Sequence, residues 1–447
     1  MKAVKYVAAL FLMLIFAIVL GQIHPNRDRP LTNSSQATIW VLSDTHFIAP
    51  SLHDEKTAYT QIKRSAAGKD MDYQPVAINA LVQNALKARP TALVITGDVT
   101  FNGEKASAEK ASAESIMRRL QPLVANGTKV LIIPGNHDIY DGWARAYKGK
   151  RQLLTEQISP SDWRNIFHTS YEQAVAQDPN SLSYRVNLNR NYQLLMLDSN
   201  IYTIEPSNRP PNTGGKLTPQ TMKWVRQQLA AGQKAHRKSI VFMHHNLYAH
   251  NEAVNQGFVL DNSDQLKTLL KAYHVPLLFS GHIHAQDISR DPDGQCPTIE
   301  VVSGAFSISP ASYGVVTFTP NRITYQKHAT DPTPYLTAKQ RKNPDLLHYQ
   351  RYLKQLFLQD GEGLAYGDLM DNGVTNQHDL DAAAKLMGVL NWRFFTGDDH
   401  PDKAELKRLK ADPGWAVLER SPMLRRYLKE IVQDHNMNDN HLIINHP

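Results

Sequence analysis

The chain has 447 residues, of which 42% are hydrophobic and 20% are charged, with 23 glycines and 25 prolines. This composition predicts a globular protein and excludes collagen-like, coiled-coil and wholly disordered chains. At roughly 100–200 residues per domain, the length indicates two domains, or one large domain with an appendage. The single cysteine, Cys296, excludes an internal disulfide, a thiolate zinc site and an iron–sulfur cluster. Any metal would therefore need His, Asp, Glu or Asn ligands.

The net charge of +7 comes from the first 330 residues, because the remainder holds slightly more acidic than basic side chains. A basic body suits a phosphate-bearing or other anionic partner, and ordinary solubility charge explains it equally well.

The first residues predict export from the cytoplasm. Lys2 and Lys5 precede an uncharged apolar run over residues 6–20, so residues 1–21 are expected to form a signal peptide. An uncleaved N-terminal membrane anchor formed by residues 3–20 is the alternative, although this run is at the short end of the ~20 residues that span a bilayer. In both cases the protein is expected to be secreted or anchored to the cell membrane, with its bulk outside the cytoplasm. Residues 22–36 are polar and contain two prolines, which predicts a linker.

Short apolar runs rich in Val, Ile and Leu alternate with longer amphipathic stretches between residue 37 and about residue 327. This alternation is typical of βαβ layering and predicts an α/β fold for residues 37–330. Strands are expected at 38–43, 92–96, 130–134, 192–197, 240–243, 277–280, 298–302, 314–318 and 322–326, and helices at 76–88, 104–124, 218–231 and 263–273. After residue 332 the period becomes helical, with helices expected at 338–358, 378–389, 402–410 and 417–434. Residues 331–447 are therefore expected to form a helical C-terminal domain.

Clusters of metal-binding side chains directly follow five of the expected strands. The carboxyl ends of the strands in an open α/β sheet lie along one edge, so the clusters are expected to converge on one site. In an extended stretch, residues two apart point to the same side, which lets paired ligands face one cavity. The clusters are Asp44-Thr45-His46, Gly97-Asp98, Gly135-Asn136-His137-Asp138, His244-His245 and Gly281-His282-Ile283-His284.

The donor set indicates the kind of metal. It holds carboxylates, an amide oxygen and several imidazoles but no thiolate, which suits Mn, Fe, Zn or Co better than Ca or Cu(I). The ligands are too many for one ion, and two ions that share a carboxylate would use them well. A pair of ions about 3.5–4 Å apart activates a water and stabilises the attacking and leaving oxygens at phosphorus. The residues therefore predict a phosphate-ester hydrolase with two divalent or trivalent metal ions of open identity.

The motifs SDTH (43–46), GDVTFNGE (97–104), GNHD (135–138), MHHN (243–246) and GHIH (281–284) occur in the order and at the spacing of one family. On these motifs, residues 37–328 resemble the calcineurin-like metallophosphoesterases. The resemblance implies a layered β-sandwich flanked by helices, with the C-terminal helices as an appendage. It also implies that Asp98 bridges two ions. The remaining ligands would be Asp44, His46 and His284 for the first ion, and Asn136, His244 and His282 for the second.

The same resemblance assigns roles to residues beside the ligands. His137 matches the family's near-site histidine, which is implied to stabilise charge on the phosphate and to protonate the leaving oxygen. Asp138 is expected to orient His137, as carboxylates commonly orient imidazoles. His245 and Asn102 are candidates for supporting the ligands or for contacting the substrate, and loop packing is the alternative role for Asn102.

The GDVTFNGE form resembles the branch that contains cyclic-nucleotide phosphodiesterases, and an exported chain with C-terminal helices is similar to bacterial members of that branch. The expected function is hydrolysis of phosphodiesters, with 3′,5′-cyclic nucleotides as first choice, by attack of a metal-bridging hydroxide. Two alternatives stay open: a phosphomonoesterase or nucleotidase of the same fold, and a surface interaction protein that uses the helical C-terminal part. The expected partner is a small phosphate ester, since the sequence contains no nucleic-acid-binding motif and no signature of another common hydrolase class.

Overall fold

A computed structural model of the chain describes residues 28–105, 112–202, 206, 208–432 and 438–446. The expected signal peptide or anchor lies outside the described residues, as does the first part of the expected linker. In the described part of the chain, no helix combines the length and the apolar character needed to cross a membrane.

Two mixed β-sheets form the centre of the molecule. Their orders are β17-β16-β15-β1-β2-β4 and β13-β14-β12-β11-β10-β9-β8, and two short antiparallel pairs, β3–β7 and β5–β6, lie outside them. The strands are β1 (Ala37–Leu42), β2 (Ala92–Thr96), β3 (Glu104–Lys105), β4 (Lys129–Ile133), β5 (Arg145–Lys148), β6 (Arg151–Leu154), β7 (Glu156–Gln157), β8 (Ala176–Gln177), β9 (Tyr184–Asn187), β10 (Tyr192–Met196), β11 (Lys238–Phe242), β12 (Leu277–Ser280), β13 (Asp287–Ser289), β14 (Ile299–Val302), β15 (Ser312–Thr319), β16 (Arg322–Ala329) and β17 (His441–Asn445).

Helices cover the sheets and form most of the C-terminal part. They are α1 (Thr57–Arg64), α2 (Gln74–Ala88), α3 (Ser112–Ala125), α4 (Pro160–Ile166), α5 (His168–Glu172), α6 (Pro219–Lys234), α7 (Ser263–Ala272), α8 (Pro344–Leu347), α9 (Tyr349–Asp371), α10 (Gln377–Phe395), α11 (Lys403–Lys410), α12 (Pro413–Leu418) and α13 (Pro422–Ile431). Every expected strand is present. The α/β class, with sheets flanked by helices and a helical C-terminal region, is confirmed.

The parallel pairs in the two sheets determine where the polar clusters lie. Strand β1 pairs in parallel with β2, and β2 with β4, while β11 pairs in parallel with β10 and β12. Strands β2 and β12 are buried along their whole length, which explains their unbroken apolar sequences. Because parallel strands end at the same edge, the segments that follow β1, β2, β4, β11 and β12 are brought together.

The structure contains several elements that the sequence did not predict, namely β5 to β9, β13, α1, α4 and α5. The helix expected at 338–358 is α9 at Tyr349–Asp371, and the helix expected at 417–434 is divided into α12 and α13. Two further differences concern segments that were expected to be helical. The helix expected at 104–124 is described from Ser112, and Glu104–Lys105 form the short strand β3 instead. The second difference is β17, which pairs antiparallel with β16 at the edge of the first sheet, where only helix was expected. An edge strand of five residues leaves a weak pattern in the sequence, so the return of the chain to the sheet is decided by tertiary pairing.

The C-terminal helices pack against the sheets and share apolar cores with them. Ile283 and Ala285, on either side of His284, are buried in the same core as side chains of α10 and α13. Tyr349 and Leu353 of α9 belong to the core of the sheets themselves. The helical region therefore packs against the segment that follows β12 and supports it.

Candidate active site

The five polar clusters converge at the edge where the parallel strands end, and their backbone is strained there. Five candidate ligands have positive φ angles, between 40° and 71°, which non-glycine residues seldom adopt. Such conformations cost of order 1–3 kcal/mol each and are retained mainly at functional sites, where the surrounding structure enforces them. The residues concerned are Asp44, His46, Asp98, His282 and His284.

One group of converging ligand atoms lies after β1, β2 and β12. Its atoms, all within 4.8 Å of one another, come from Asp44, His46, Asp98 and His284. Nε2 of His46 lies 3.1 Å from Nε2 of His284, and Oδ1 of Asp44 lies 3.4 Å from the same His284 nitrogen. Among the described residues, buried Asp44 Oδ1 has no hydrogen-bond partner. Two converging imidazole nitrogens beside an unpartnered carboxylate oxygen suit a cation better than they suit one another.

A second group shares Asp98 with the first and adds His244 and His282. Nε2 of His244 lies 3.4 Å from Oδ2 of Asp98 and 3.1 Å from Oδ1 of Asn136. Asp98 is thus the carboxylate common to both groups, which is the position that the family resemblance gives to a bridging ligand.

In the two histidines of the second group, His244 and His282, the ring nitrogen that faces away from the other ligand atoms contacts a backbone carbonyl. Nδ1 of His244 lies 2.8 Å from the carbonyl oxygen of Thr96. Nε2 of His282 lies 2.9 Å from the carbonyl oxygens of both Thr213 and Gly257. Because a carbonyl can only accept a hydrogen bond, these nitrogens carry the protons. The rings are thereby fixed in orientation, and His244 Nε2 and His282 Nδ1 are the nitrogens that would bind a metal.

The protonation states suit metal binding. Burial lowers the pKa values of His46 and His284, and it lowers that of His282 to about 4, so these rings are neutral. Burial opposes the charge of Asp98, but nearby imidazoles, His244 first, hold its pKa well below the usual value. Burial also opposes the charge of His244, whose pKa Asp98 nevertheless raises to about 9. A bound cation would replace that imidazole proton as the partner of Asp98.

Glycines leave the space that the ligands need. A Cβ atom on Gly281 would lie 2.6 Å from Oδ2 of Asp44, and one on Gly97 would lie 2.6 Å from Nδ1 of His244. Gly97 also has a φ of 96°, in the left-handed region that favours glycine. A side chain at either position would displace a ligand candidate.

His137 stands beside the ligands with one nitrogen anchored. Its Nδ1 lies 3.1 Å from Oδ2 of Asp141 and 3.1 Å from Oδ1 of Asn102, while its backbone N–H donates to Oδ1 of Asp98 (2.9 Å). A carboxylate only accepts, so Nδ1 carries a proton and Nε2 is the nitrogen that can exchange one. Burial opposes the charge of the ring, but Asp98 and Asp141 outweigh it and raise the pKa of His137.

The expected role of Asp138 is wrong, because this side chain does not contact the ring of His137. Its carboxylate accepts the backbone N–H groups of Val99 (3.1 Å) and Thr100 (2.8 Å), and so ties the segment after β2 to the segment after β4. Asp141 orients the imidazole instead. The sequence does contain a signal for this, since His137 and Asp141 are four residues apart, but choosing between two nearby aspartates requires the path of the turn.

His245 supports the ligands and is too deeply buried to meet a substrate. Its ring is inaccessible to solvent, with its centroid 4.6 Å from that of His282 and 5.3 Å from that of His244. Ser199 Oγ lies 2.8 Å from its Nδ1, and burial lowers the pKa of His245 well below the usual value. It is therefore a neutral ring that packs behind two metal-ligand candidates.

A cavity of about 440 Å³ opens beside His46 and His137. Its volume lies within the range of roughly 300–1,000 Å³ that is usual for small-molecule sites. Apart from Phe101 and Asn102 in the GDVTFNGE motif, no motif in the sequence indicated its wall, part of which comes from the β5–β6 hairpin and the turn before it. This wall combines three aromatic side chains with two cationic ones, namely Phe101, Trp143, Tyr147, Lys69 and Arg145.

Residues 37–286 match the profile of the calcineurin-like phosphoesterase family. The protein belongs to this family. It is accordingly a metal-dependent phosphoester hydrolase, and its Asp and His clusters are able to bind metal. Residues 331–438 of the phosphoesterase match a second profile, that of the C-terminal domain of cyclic nucleotide phosphodiesterase. The resemblance drawn from the sequence motifs and the expected class of enzyme are confirmed.

Curated relatives of this phosphoesterase carry phosphodiesterase names. The glycerophosphodiester phosphodiesterase GpdQ of Enterobacter lignolyticus is 25% identical over 245 residues, which cover 54% of this chain and 69% of the relative. A probable cyclic nucleotide phosphodiesterase of Psychrobacter arcticus is 24% identical over 268 residues, covering 59% and 78%. Among solved structures, a dimetal phosphatase from Danio rerio is similar with a TM-score of 0.49 and 12% identity, covering 66% of this chain and 96% of that one.

Proposed function

We propose that this phosphoesterase hydrolyses phosphodiesters and that 3′,5′-cyclic nucleotides are its substrates. The cavity carries the proposal, because it joins the metal-ligand cluster to an aromatic and cationic wall. A cyclic nucleotide has the matching chemistry, with an anionic phosphate for the cluster and a planar base for the aromatic rings. The profile match of residues 331–438 supports this choice, as does the name of the Psychrobacter arcticus relative.

We also propose that two metal ions bind. The fit rests on the unpartnered Oδ1 of Asp44 and on the Nε2 atoms of His46 and His284, which lie 3.1 Å apart beside it. Bound ions of this kind activate a water and neutralise the charge that develops on the phosphate, and Mn, Fe, Zn and Co suit the donors. One ion would be held by Asp44, His46, Asp98 and His284, and the other by Asp98, Asn136, His244 and His282.

His137 is the proposed general acid. The proton on Nδ1 is held by Asp141, so the proton that leaves the ring comes from Nε2. It passes to the ribose oxygen as the P–O bond breaks, while the OH of a water becomes bonded to phosphorus. The remaining proton of that water goes to solvent, from which Nε2 of His137 is protonated again. The ring of the cyclic diester opens and a nucleoside monophosphate results. Without this proton the ribose oxygen would depart as an alkoxide, which is a poor leaving group.

The test is hydrolysis of a small panel by the manganese-loaded chain that lacks residues 1–21. The panel contains 3′,5′-cyclic AMP, 2′,3′-cyclic AMP, bis-p-nitrophenyl phosphate and p-nitrophenyl phosphate. We expect turnover of 3′,5′-cyclic AMP, and its loss in Asp98→Ala but not in Asp264→Ala, whose side chain is 90% exposed. Turnover of p-nitrophenyl phosphate without hydrolysis of any of the three diesters would refute the proposal and favour the phosphomonoesterase alternative.

We further propose that the protein is exported, on the basis of the apolar run that follows Lys2 and Lys5. Fractionation of cells that express the full chain should recover it outside the cytoplasm, and N-terminal sequencing of the recovered protein separates a cleaved signal from a retained anchor. Recovery in the cytoplasm alone would contradict export.

A further inference from the structure

Lys69 brings a positive charge to the cavity that the metal-ligand motifs do not account for. Its half-buried side chain lines the same cavity as His46 and His137. In the part of the chain that the structure describes, its ammonium group forms no ion pair within 4 Å, and it interacts only at longer range with Asp98, Asp44 and Asp360. A partly desolvated ammonium without a close partner is unfavourable on its own, and an anion bound in the cavity would remove this penalty.

Contacts from helix α9 hold the chain on both sides of Lys69. Gly68, with a φ of 70°, packs so closely on Phe357 that a Cβ atom would lie 2.9 Å from the Phe357 ring. On the other side, the hydroxyl of Tyr349 donates to Oδ2 of Asp70 (2.7 Å), and both of these side chains are buried. The segment lies between α1 and α2 and has no regular secondary structure, so these contacts, together with backbone hydrogen bonds, fix its path.

We propose that the C-terminal helix α9 completes the active site by positioning Lys69, whose ammonium group binds a phosphate oxygen of the ester. The inference rests on the proposed function for the identity of the ester, but not for the presence of a phosphate group. The ammonium is a compact charge with three rotatable donors, which suits an oxygen that projects from the metal-ligand cluster into the cavity. The helical region would then act on substrate binding from residues about 280 positions away in the sequence.

The first experiment measures the binding of inorganic phosphate to the manganese-loaded chain by isothermal titration calorimetry. The variants are Lys69→Met and Lys69→Arg. Lys56→Met is the matched control, since Lys56 is a nearby lysine in the sequence whose side chain is 70% exposed and does not line the cavity. We expect Lys69→Met to weaken phosphate binding about 10- to 100-fold and to raise KM for bis-p-nitrophenyl phosphate more than it lowers kcat. Lys69→Arg should recover part of the affinity, and Lys56→Met should behave as wild type.

The second experiment tests the role of α9 with Tyr349→Phe, which removes only the hydroxyl that holds Asp70. Phosphate binding should weaken about threefold to tenfold in the wild-type background and should not weaken further in the Lys69→Met background. Equal effects in the two backgrounds would overturn the role of α9, because the helix would then act independently of Lys69.

Wild-type phosphate affinity in Lys69→Met, or no phosphate binding to the metal-loaded wild-type chain, would overturn the inference itself. These outcomes differ from a failure of the proposed function. Absence of cyclic AMP turnover would refute the proposed substrate while phosphate binding still decided the role of Lys69.

Discussion

Substitution of Asp141 by Asn separates the charge of this side chain from its geometry. Oδ2 of Asp141 lies 3.1 Å from Nδ1 of His137, Oδ1 accepts the backbone N–H of Trp143 (2.7 Å), and the carboxylate is inaccessible to solvent. Asparagine has nearly the same size, and its amide oxygen can still accept from Nδ1, while its NH2 group then faces Trp143 and leaves the Trp143 N–H without that acceptor. The ring therefore keeps its orientation and loses the negative charge that favours its protonated form.

The size of the effect follows from that one contact. A hydrogen bond to a charged group contributes about 1.5–3 kcal/mol, and each 1.36 kcal/mol corresponds to tenfold in rate. If Asp141 stabilises protonated His137 by this amount, Asp141→Asn should slow protonation of a leaving oxygen about 10- to 150-fold. The pKa of His137 should also fall, because a carboxylate that now raises it is removed.

The assay compares two leaving groups. The ribose oxygen of 3′,5′-cyclic AMP needs a proton to depart, whereas p-nitrophenolate departs from bis-p-nitrophenyl phosphate without one. For Asp141→Asn we expect kcat/KM to fall 10- to 150-fold with the cyclic nucleotide and less than about threefold with the nitrophenyl ester. Asp264→Asn, the same change at an exposed site, is the control. An equal fall with both substrates would refute the reasoning, since Asp141 would then act on the fold or the metal ligands.

Three further changes test other parts of the site and its surroundings. Gly281→Ala places a methyl group 2.6 Å from Oδ2 of Asp44 and should displace this ligand candidate. Because a bound metal stabilises the folded protein, the rise in Tm that Mn²⁺ gives the wild type should be lost in the variant. An unchanged rise in Tm, measured by scanning fluorimetry, would contradict the steric argument. Trp143 is 49% exposed in the cavity wall, and base stacking of about 1–3 kcal/mol predicts that Trp143→Ala raises KM for cyclic AMP about 5- to 150-fold with kcat little changed. An unchanged KM would exclude stacking. Burial raises the pKa of Glu104 from 4.5 to about 8, so the folded state binds this proton more tightly than the unfolded state does. The free energy of unfolding of the wild type should therefore fall as the pH rises from about 4.5 to 8. Urea unfolding of Glu104→Gln should show a flatter pH dependence, and parallel curves for the two proteins would count against the shift.

Much of the fold and the metal-ligand cluster could be predicted because their signals are local. The run at Ala92–Thr96 is apolar and short, and Gly97-Asp98 ends it, so the strand and the ligand after it are recorded in adjacent residues. The same holds for Leu277–Ser280 and the two histidines that follow. Since parallel strands place their carboxyl ends at one edge, five local patterns were enough to predict one site.

The cavity and the contacts that orient His137 were decided only by tertiary structure. Whether Asp138 or Asp141 orients His137 depends on how the turn after β4 folds, because both lie within four residues of the ring. The residues on either side of Lys69, Gly68 and Asp70, contact Phe357 and Tyr349 of α9, and no local pattern connects residues so far apart in the sequence. Loop paths and long-range packing select among side chains that the sequence leaves equivalent, so the sequence determined the metal-ligand candidates and the class of reaction, while the packed structure determined the walls of the cavity.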